Sequence, residues 1–117
     1  MARIVIVDDD ERLGPVLEDG LAAAGHKPVW ARDAEELGFF LQGGMPDLAV
    51  IDMQFRGGGG PAASRMLAAS VPVIVLSAMP REKQEEWFKD RARVRHFVKP
   101  TGLPVILKAV EELLDGA

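Results

Sequence analysis

Along the chain, short runs rich in apolar residues alternate with stretches whose apolar residues recur at helical spacing. The first run, Arg3-Ile4-Val5-Ile6-Val7, is rich in β-branched residues and stops on Asp8-Asp9-Asp10, which reads as a strand that ends in acid. From Glu11 the period changes: Leu13, Val16, Leu17, Leu21 and Ala24 predict a helix, and Gly25 stands where a left-handed cap is wanted. Lys27 to Ala31 predicts a short strand, and Pro28, which donates no ladder hydrogen bond, suits an edge or a strand start. Asp33 is placed to cap a helix carrying Leu37, Phe40 and Leu41, closed by Gly43-Gly44.

The run Asp47-Leu48-Ala49-Val50-Ile51-Asp52 is bounded by Pro46 on one side and Gly57 to Gly60 on the other, the mark of a strand buried on both faces. A small Ala-rich helix is expected from Pro61 to about Ala69, then an apolar strand from Val71 to Leu76 that ends on Ser77. Pro80 opens a heavily charged helix from Arg81 to about Arg91, whose large apolar residues are Trp87 and Phe88; such a helix is expected to bury little. Val94 to Val98 predicts a fifth strand, ending on Lys99-Pro100. Leu103, Ile106, Leu107, Val110, Leu113 and Leu114 give the clearest amphipathic helix. Strands alternating with helices in this way imply right-handed βαβ crossovers, and so an α/β fold with a parallel sheet covered on both faces.

The length of 117 residues with 48% apolar composition is that of one domain, residues 1–117, able to bury a core without disulfides or metals. A net charge of −4, with no Lys/Arg stripe, argues against a nucleic-acid-binding surface. The chain has no cysteine, which removes disulfides, thiol redox chemistry and thiolate metal sites and fits a reducing cytosol. No apolar stretch approaches the roughly 18 residues of a membrane span, and Met1-Ala2-Arg3 leads into a strand without a signal-peptide pattern. A cytoplasmic location is therefore expected. Asp115-Gly116-Ala117 ends just after the last helix, leaving open whether another domain follows.

In a parallel sheet Asp8, Asp9, Asp52, Ser77 and Lys99 all fall at one edge, the carboxyl edge where open α/β folds place ligands. Each has an ordinary reading alone. The acid triplet can cap a helix, Asp52 can be an acid at a strand exit, Ser77 a turn hydroxyl and Lys99 a solvated amine. Brought together, three carboxylates repel and raise one another's pKa unless a cation sits among them. A hard divalent ion with oxygen ligands, most simply Mg²⁺ keeping several waters, resolves this. An ammonium and a hydroxyl beside it complete the parts for phosphoryl transfer to a carboxylate nucleophile. The Gly57 to Gly60 run lacks the Gly-Lys-Ser/Thr ending of a P-loop and argues against nucleotide binding.

From Arg3 to Leu114 the sequence resembles the receiver domains of two-component response regulators. The motifs that carry the resemblance are Ile6-Val7-Asp8-Asp9-Asp10, Pro46-Asp47-Leu48 running to Asp52, Val75-Leu76-Ser77-Ala78 and Val98-Lys99-Pro100; none is specific alone, but the four in this order and spacing are. The resemblance implies a flavodoxin-like (βα)5 doubly wound sandwich, with a five-stranded parallel sheet of order 2-1-3-4-5. It implies Asp52 as phosphoacceptor and Asp8 and Asp9 as the acidic pair holding Mg²⁺, or Mn²⁺ in its place, with Asp9 the direct ligand and the Gln54 backbone carbonyl a further one. Ser77 would hold a phosphoryl oxygen and turn inward on activation, Lys99 would pair with the acyl phosphate, and Lys99-Pro100 would be cis. His96 stands where the family usually carries the aromatic of the switch, and otherwise reads as a partly exposed strand histidine. The implied partners are a sensor histidine kinase or histidine phosphotransfer protein, and an output domain or target protein meeting the face of the fourth helix, fifth strand and fifth helix. A phosphorylation-dependent homodimer is compatible with that face. The added charge, about −1.5 to −2, would be read as a shift in its packing.

Arg56 replaces a common proline, Gly57 to Gly60 replace a more ordered loop, Thr101 replaces an aromatic, and Ala92-Arg93 stands for the usual Gly-Ala. None touches the five site residues, but they bear on the output route. A pseudo-receiver, docking a partner without phosphorylation, is the alternative, although such a module is free to lose the acids. A phosphatase resembling haloacid dehalogenases ranks last, because it wants Asp-x-Asp and Gln54 fills the second position. No separate enzymatic substrate is expected beyond the domain's own aspartyl phosphorylation and dephosphorylation.

Overall fold

The computed structural model of the protein describes residues 2–53 and 59–116, with the backbone alone for residues 59–61 and Trp87. Ten elements alternate strictly along them: β1 (Arg3–Val7), α1 (Leu13–Ala23), β2 (Lys27–Ala31), α2 (Ala34–Leu41), β3 (Leu48–Asp52), α3 (Gly59–Met66), β4 (Val73–Ser77), α4 (Arg81–Trp87), β5 (Val94–Val98) and α5 (Leu103–Leu114). The strands form one parallel sheet of order β2-β1-β3-β4-β5, so the flavodoxin-like arrangement holds. Alternate residues of the three central strands divide two apolar layers. Val5, Val7, Ala49, Ile51, Val73 and Val75 pack with Leu37 of α2, Ala63 of α3 and Phe88. Ile4, Ile6, Leu48, Val50, Ile74 and Leu76 pack with Leu17 and Leu21 of α1 and Ile106, Val110 and Leu113 of α5.

Pro28 does fall on an edge strand, β2. Asp33 caps α2 by accepting from Glu36 N–H at 2.9 Å, while Glu36 reaches back to the Arg32 N–H at 2.7 Å. Gly25 takes φ +94° after α1, the left-handed position expected of it.

Element ends move where side chains or prolines intervene. β3 starts at Leu48 because Asp47 turns its carboxylate onto Arg3 N–H at 2.8 Å and closes that end of the ladder. β4 starts at Val73, after Pro72, rather than at Val71, and ends on Ser77 as expected. α3 runs from Gly59 to Met66, two residues earlier at its start than Pro61 and short of Ala69. Pro61 lies in the first turn, where no intrahelical N–H is needed. At its far end the carbonyls turn to Arg91, whose guanidinium donates to Ser64 (3.0 Å), Ala68 (2.9 Å) and Val71 (2.7 Å). α4 ends at Trp87 instead of about Arg91, because Phe88 folds into the core and Arg91 leaves the helix for those carbonyls.

Despite the charge of α4, one of its described side chains is completely buried, and it is polar. Gln84 is inaccessible and its Nε2 donates to the carbonyls of Met79 (2.9 Å) and Phe97 (3.0 Å), tying α4 to β5. At the far edge of the sheet the end of α5 is tied down three times. Glu111 meets His26 Nε2 at 2.8 Å, Glu112 meets Arg95 at 2.9 Å, and the Leu113 carbonyl accepts from Arg93.

Candidate functional site: an acidic pocket at the carboxyl edge

The parallel register brings the four strand ends together. Val7 pairs with Ile51, Asp52 with Leu76, and Ser77 with Val98, so the residues that end or follow β1, β3, β4 and β5 share one edge. The Lys99 N–H extends that edge by donating to the Ser77 carbonyl at 2.7 Å.

Asp8, Asp9 and Asp52 each offer a carboxylate oxygen within 4.8 Å of the others. Asp8 and Asp52 are buried, and Asp9 is half-buried. Lys99 Nζ lies 3.1 Å from Asp8 Oδ2 and 3.5 Å from Asp52 Oδ2. Burial pushes the Asp8 carboxyl above the usual range; the Asp10 N–H at 2.9 Å and Lys99 oppose this, and Asp52 adds to it. Burial also works against the Lys99 ammonium, but Asp8 and Asp52 outweigh it and hold its pKa above the ordinary lysine value. Together Asp8, Asp9 and Asp52 present an all-oxygen donor set. That set fits a hard divalent cation held by Asp8, Asp9 and Asp52.

The acid triplet splits between its two readings. Asp10 is the helix cap: its Oδ1 accepts from Arg12 N–H (2.8 Å) and Leu13 N–H (3.3 Å), and the first of these bonds holds its carboxyl below the usual range. Asp8 and Asp9 go to the pocket. Ser77 is fully buried at the end of β4, its hydroxyl accepting from Met79 N–H at 3.1 Å. The Lys99-Pro100 peptide is cis, as expected. Gln54, with Arg56, Gly57 and Gly58, lies outside the described residues. His96 stands apart from the acids, and the partly exposed histidine is corrected: it is buried, because Phe88 closes over it with ring centroids 6.2 Å apart. Two contributors escaped sequence reasoning, Gln84 and Trp30; the Trp30 indole N–H donates to the Asp8 carbonyl at 2.7 Å. A lone tryptophan on an edge strand offers no pattern by which to find it.

No family model matches the sequence. The virulence transcriptional regulatory protein PhoP of Salmonella typhimurium is 32% identical over 123 residues, covering 97% of this chain and 52% of that protein. The phosphate regulon transcriptional regulatory protein PhoB of Rhizobium meliloti is 26% identical over 122 residues, covering all of this chain and 54% of PhoB. The chain thus spans about half the length of the curated relatives it matches. Among solved structures, a CheY-like receiver domain protein from Methanospirillum hungatei superimposes with a TM-score of 0.87 at 21% identity, over 99% of this chain and 95% of that one. The receiver domain of a Francisella response regulator gives 0.84 at 21% identity, over 98% of each chain. The chain is thus similar in sequence to about half the length of these transcriptional regulatory proteins and shares the fold of response regulator receiver domains.

Proposed function

We propose that the domain, residues 1–117, accepts a phosphoryl group on Asp52 and uses it to switch its contacts with a partner or output domain. The observation that carries this reading is the convergence of three carboxylates and the Lys99 ammonium at one sheet edge, with Asp52 the acid that ends β3. An Asp52 oxygen attacks the phosphorus of a phosphohistidine on a sensor kinase or phosphotransfer protein. The new O–P bond forms as the P–N bond breaks, and the nitrogen keeps the electron pair. Lys99 is within reach of the resulting acyl phosphate. Ser77 can donate to a phosphoryl oxygen once it turns from Met79. Asp8, Asp9 and Asp52, with the Gln54 carbonyl that the resemblance implies, would hold a divalent cation, Mg²⁺ or Mn²⁺, which would supply neutralisation of phosphoryl charge. Dephosphorylation is a separate step: a water oxygen adds to phosphorus as the Asp52 O–P bond breaks, the carboxylate is regenerated, and the water's protons leave with inorganic phosphate or to solvent.

On this reading the domain catalyses only its own modification. It works in the cytoplasm, where its kinase presents the phosphohistidine, and no helix among the described residues is long and apolar enough to cross a membrane. Its output face is α4, β5 and α5, which can also serve a phosphorylation-dependent homodimer, and it binds no nucleic acid itself. The test is intact mass after incubation with acetyl phosphate, with and without Mg²⁺, on the wild type and Asp52→Ala. One added phosphoryl group that requires both Mg²⁺ and Asp52 is expected. No adduct, together with no binding of beryllofluoride, would overturn the reading in favour of a phosphorylation-independent docking module.

A further inference from the structure

Trp30 lies on β2, beside β1, and its indole reaches the loop that carries the acidic pair. Both backbone groups of Asp8 are held from there: its N–H donates to the Ala31 carbonyl at 3.1 Å and its carbonyl accepts the Trp30 indole N–H at 2.7 Å. The Asp8 carbonyl belongs to the planar peptide that joins Asp8 to Asp9. Fixing that oxygen therefore fixes the plane from which the second carboxylate departs.

The ring is itself confined. In the first turn of α1, a Cβ added to Gly14 would stand 2.2 Å from Trp30 Cε2, so the helix admits the indole only because that residue is glycine. The Arg32 guanidinium lies 4.8 Å from the ring centroid. A ring that merely filled space would need neither the bond to Asp8 nor so close an approach to the helix that follows the acids.

We infer that Trp30 is a positioning residue for the acidic pocket: through the Asp8 carbonyl it orients the Asp8–Asp9 peptide and so sets the affinity for a divalent cation. This rests on the reading of Asp8, Asp9 and Asp52 as a cation site. Trp30→Phe keeps an aromatic ring and removes the donor. Mn²⁺ binding to the whole chain, followed by electron paramagnetic resonance of the free ion, is expected to weaken about three- to tenfold in Trp30→Phe. Gly14→Ala, which drives the ring from the other side, is expected to weaken it likewise. In the wild type, titration with Mg²⁺ should move the Trp30 indole ¹H–¹⁵N resonance with the midpoint of binding. Equal Mn²⁺ affinity in wild type and Trp30→Phe, or an indole resonance unmoved at saturation, overturns the inference and leaves the cation site standing. A wild type that binds neither Mn²⁺ nor Mg²⁺ overturns the cation site itself, and the role of Trp30 with it.

Discussion

Lys99 sits closer to Asp8 than to Asp52, 3.1 Å against 3.5 Å, so its ammonium is shared between a buried acid of the acidic pair and the acid that would take the phosphoryl group. Charge brought to either acid must redraw that sharing. The pocket is therefore electrostatically coupled before any ligand arrives.

Asp8 should cost the protein stability. Its carboxyl, raised by burial, binds a proton more readily in the folded than in the unfolded state, so stability falls as pH rises above the ordinary carboxylate range. Asp8→Asn is expected to raise the melting temperature at pH 7 by about 4 °C, the shift that about 1 kcal/mol gives in a domain of this size. Added Mg²⁺ should raise it further in the wild type and not in the variant, which calorimetry would show.

Lys99→Met should do the opposite. It leaves the carboxylates without their ammonium, and with the lysine side chain only 23% exposed the loss is expected to be about 1–3 kcal/mol at pH 7. Millimolar Mg²⁺ should recover part of it. Urea titrations with and without Mg²⁺ would measure both effects.

Gln84 links the pocket to α4 and β5, part of the face proposed for output. The Met79 N–H bonds to the Ser77 hydroxyl and the Met79 carbonyl to Gln84, which also holds the Phe97 carbonyl of β5. A hydroxyl that turns toward a phosphoryl group releases the same residue that anchors α4. Gln84→Met, which strands two carbonyls, should cost about 1–3 kcal/mol and speed amide exchange across residues 81–87 without phosphorylation. Exchange in α4 as slow as in the wild type would count against this link.

His96 supplies a pH dependence of known sign. Burial holds its pKa below the ordinary histidine value, with Glu85 opposing and Arg81 assisting. The unfolded chain thus takes up the proton first, and stability is lost as pH falls below about 6.5. His96→Leu should flatten the stability profile between pH 5 and 7. The difference between the two profiles isolates the part due to His96.

Architecture and acids were legible in the sequence because both are written in strand ends. Each central strand is a short apolar run that stops at a polar residue, and the parallel sheet collects those stops by geometry alone. Asp10 could not be separated from Asp8 and Asp9 by pattern, since a cap and a ligand call for the same side chain. Gln84, Trp30 and Arg91 were invisible for a different reason. Each is a single polar or aromatic residue whose role lies in reaching a backbone carbonyl far away in sequence, and such an acceptor leaves no mark in composition or period. The burial of His96 depends on Phe88 leaving α4 to cover it, a tertiary event that propensity does not encode.

The three bonds at the end of α5 have a mechanical consequence. Glu111, Glu112 and Leu113 are fastened to His26, Arg95 and Arg93, so tension applied at the end of that helix loads the loop before β2 and the strand β5 first. The acidic edge lies at the opposite end of the strands, out of the direct line of such a pull. A tug on one end of the molecule would therefore strain its anchorage well before it disturbed its chemistry.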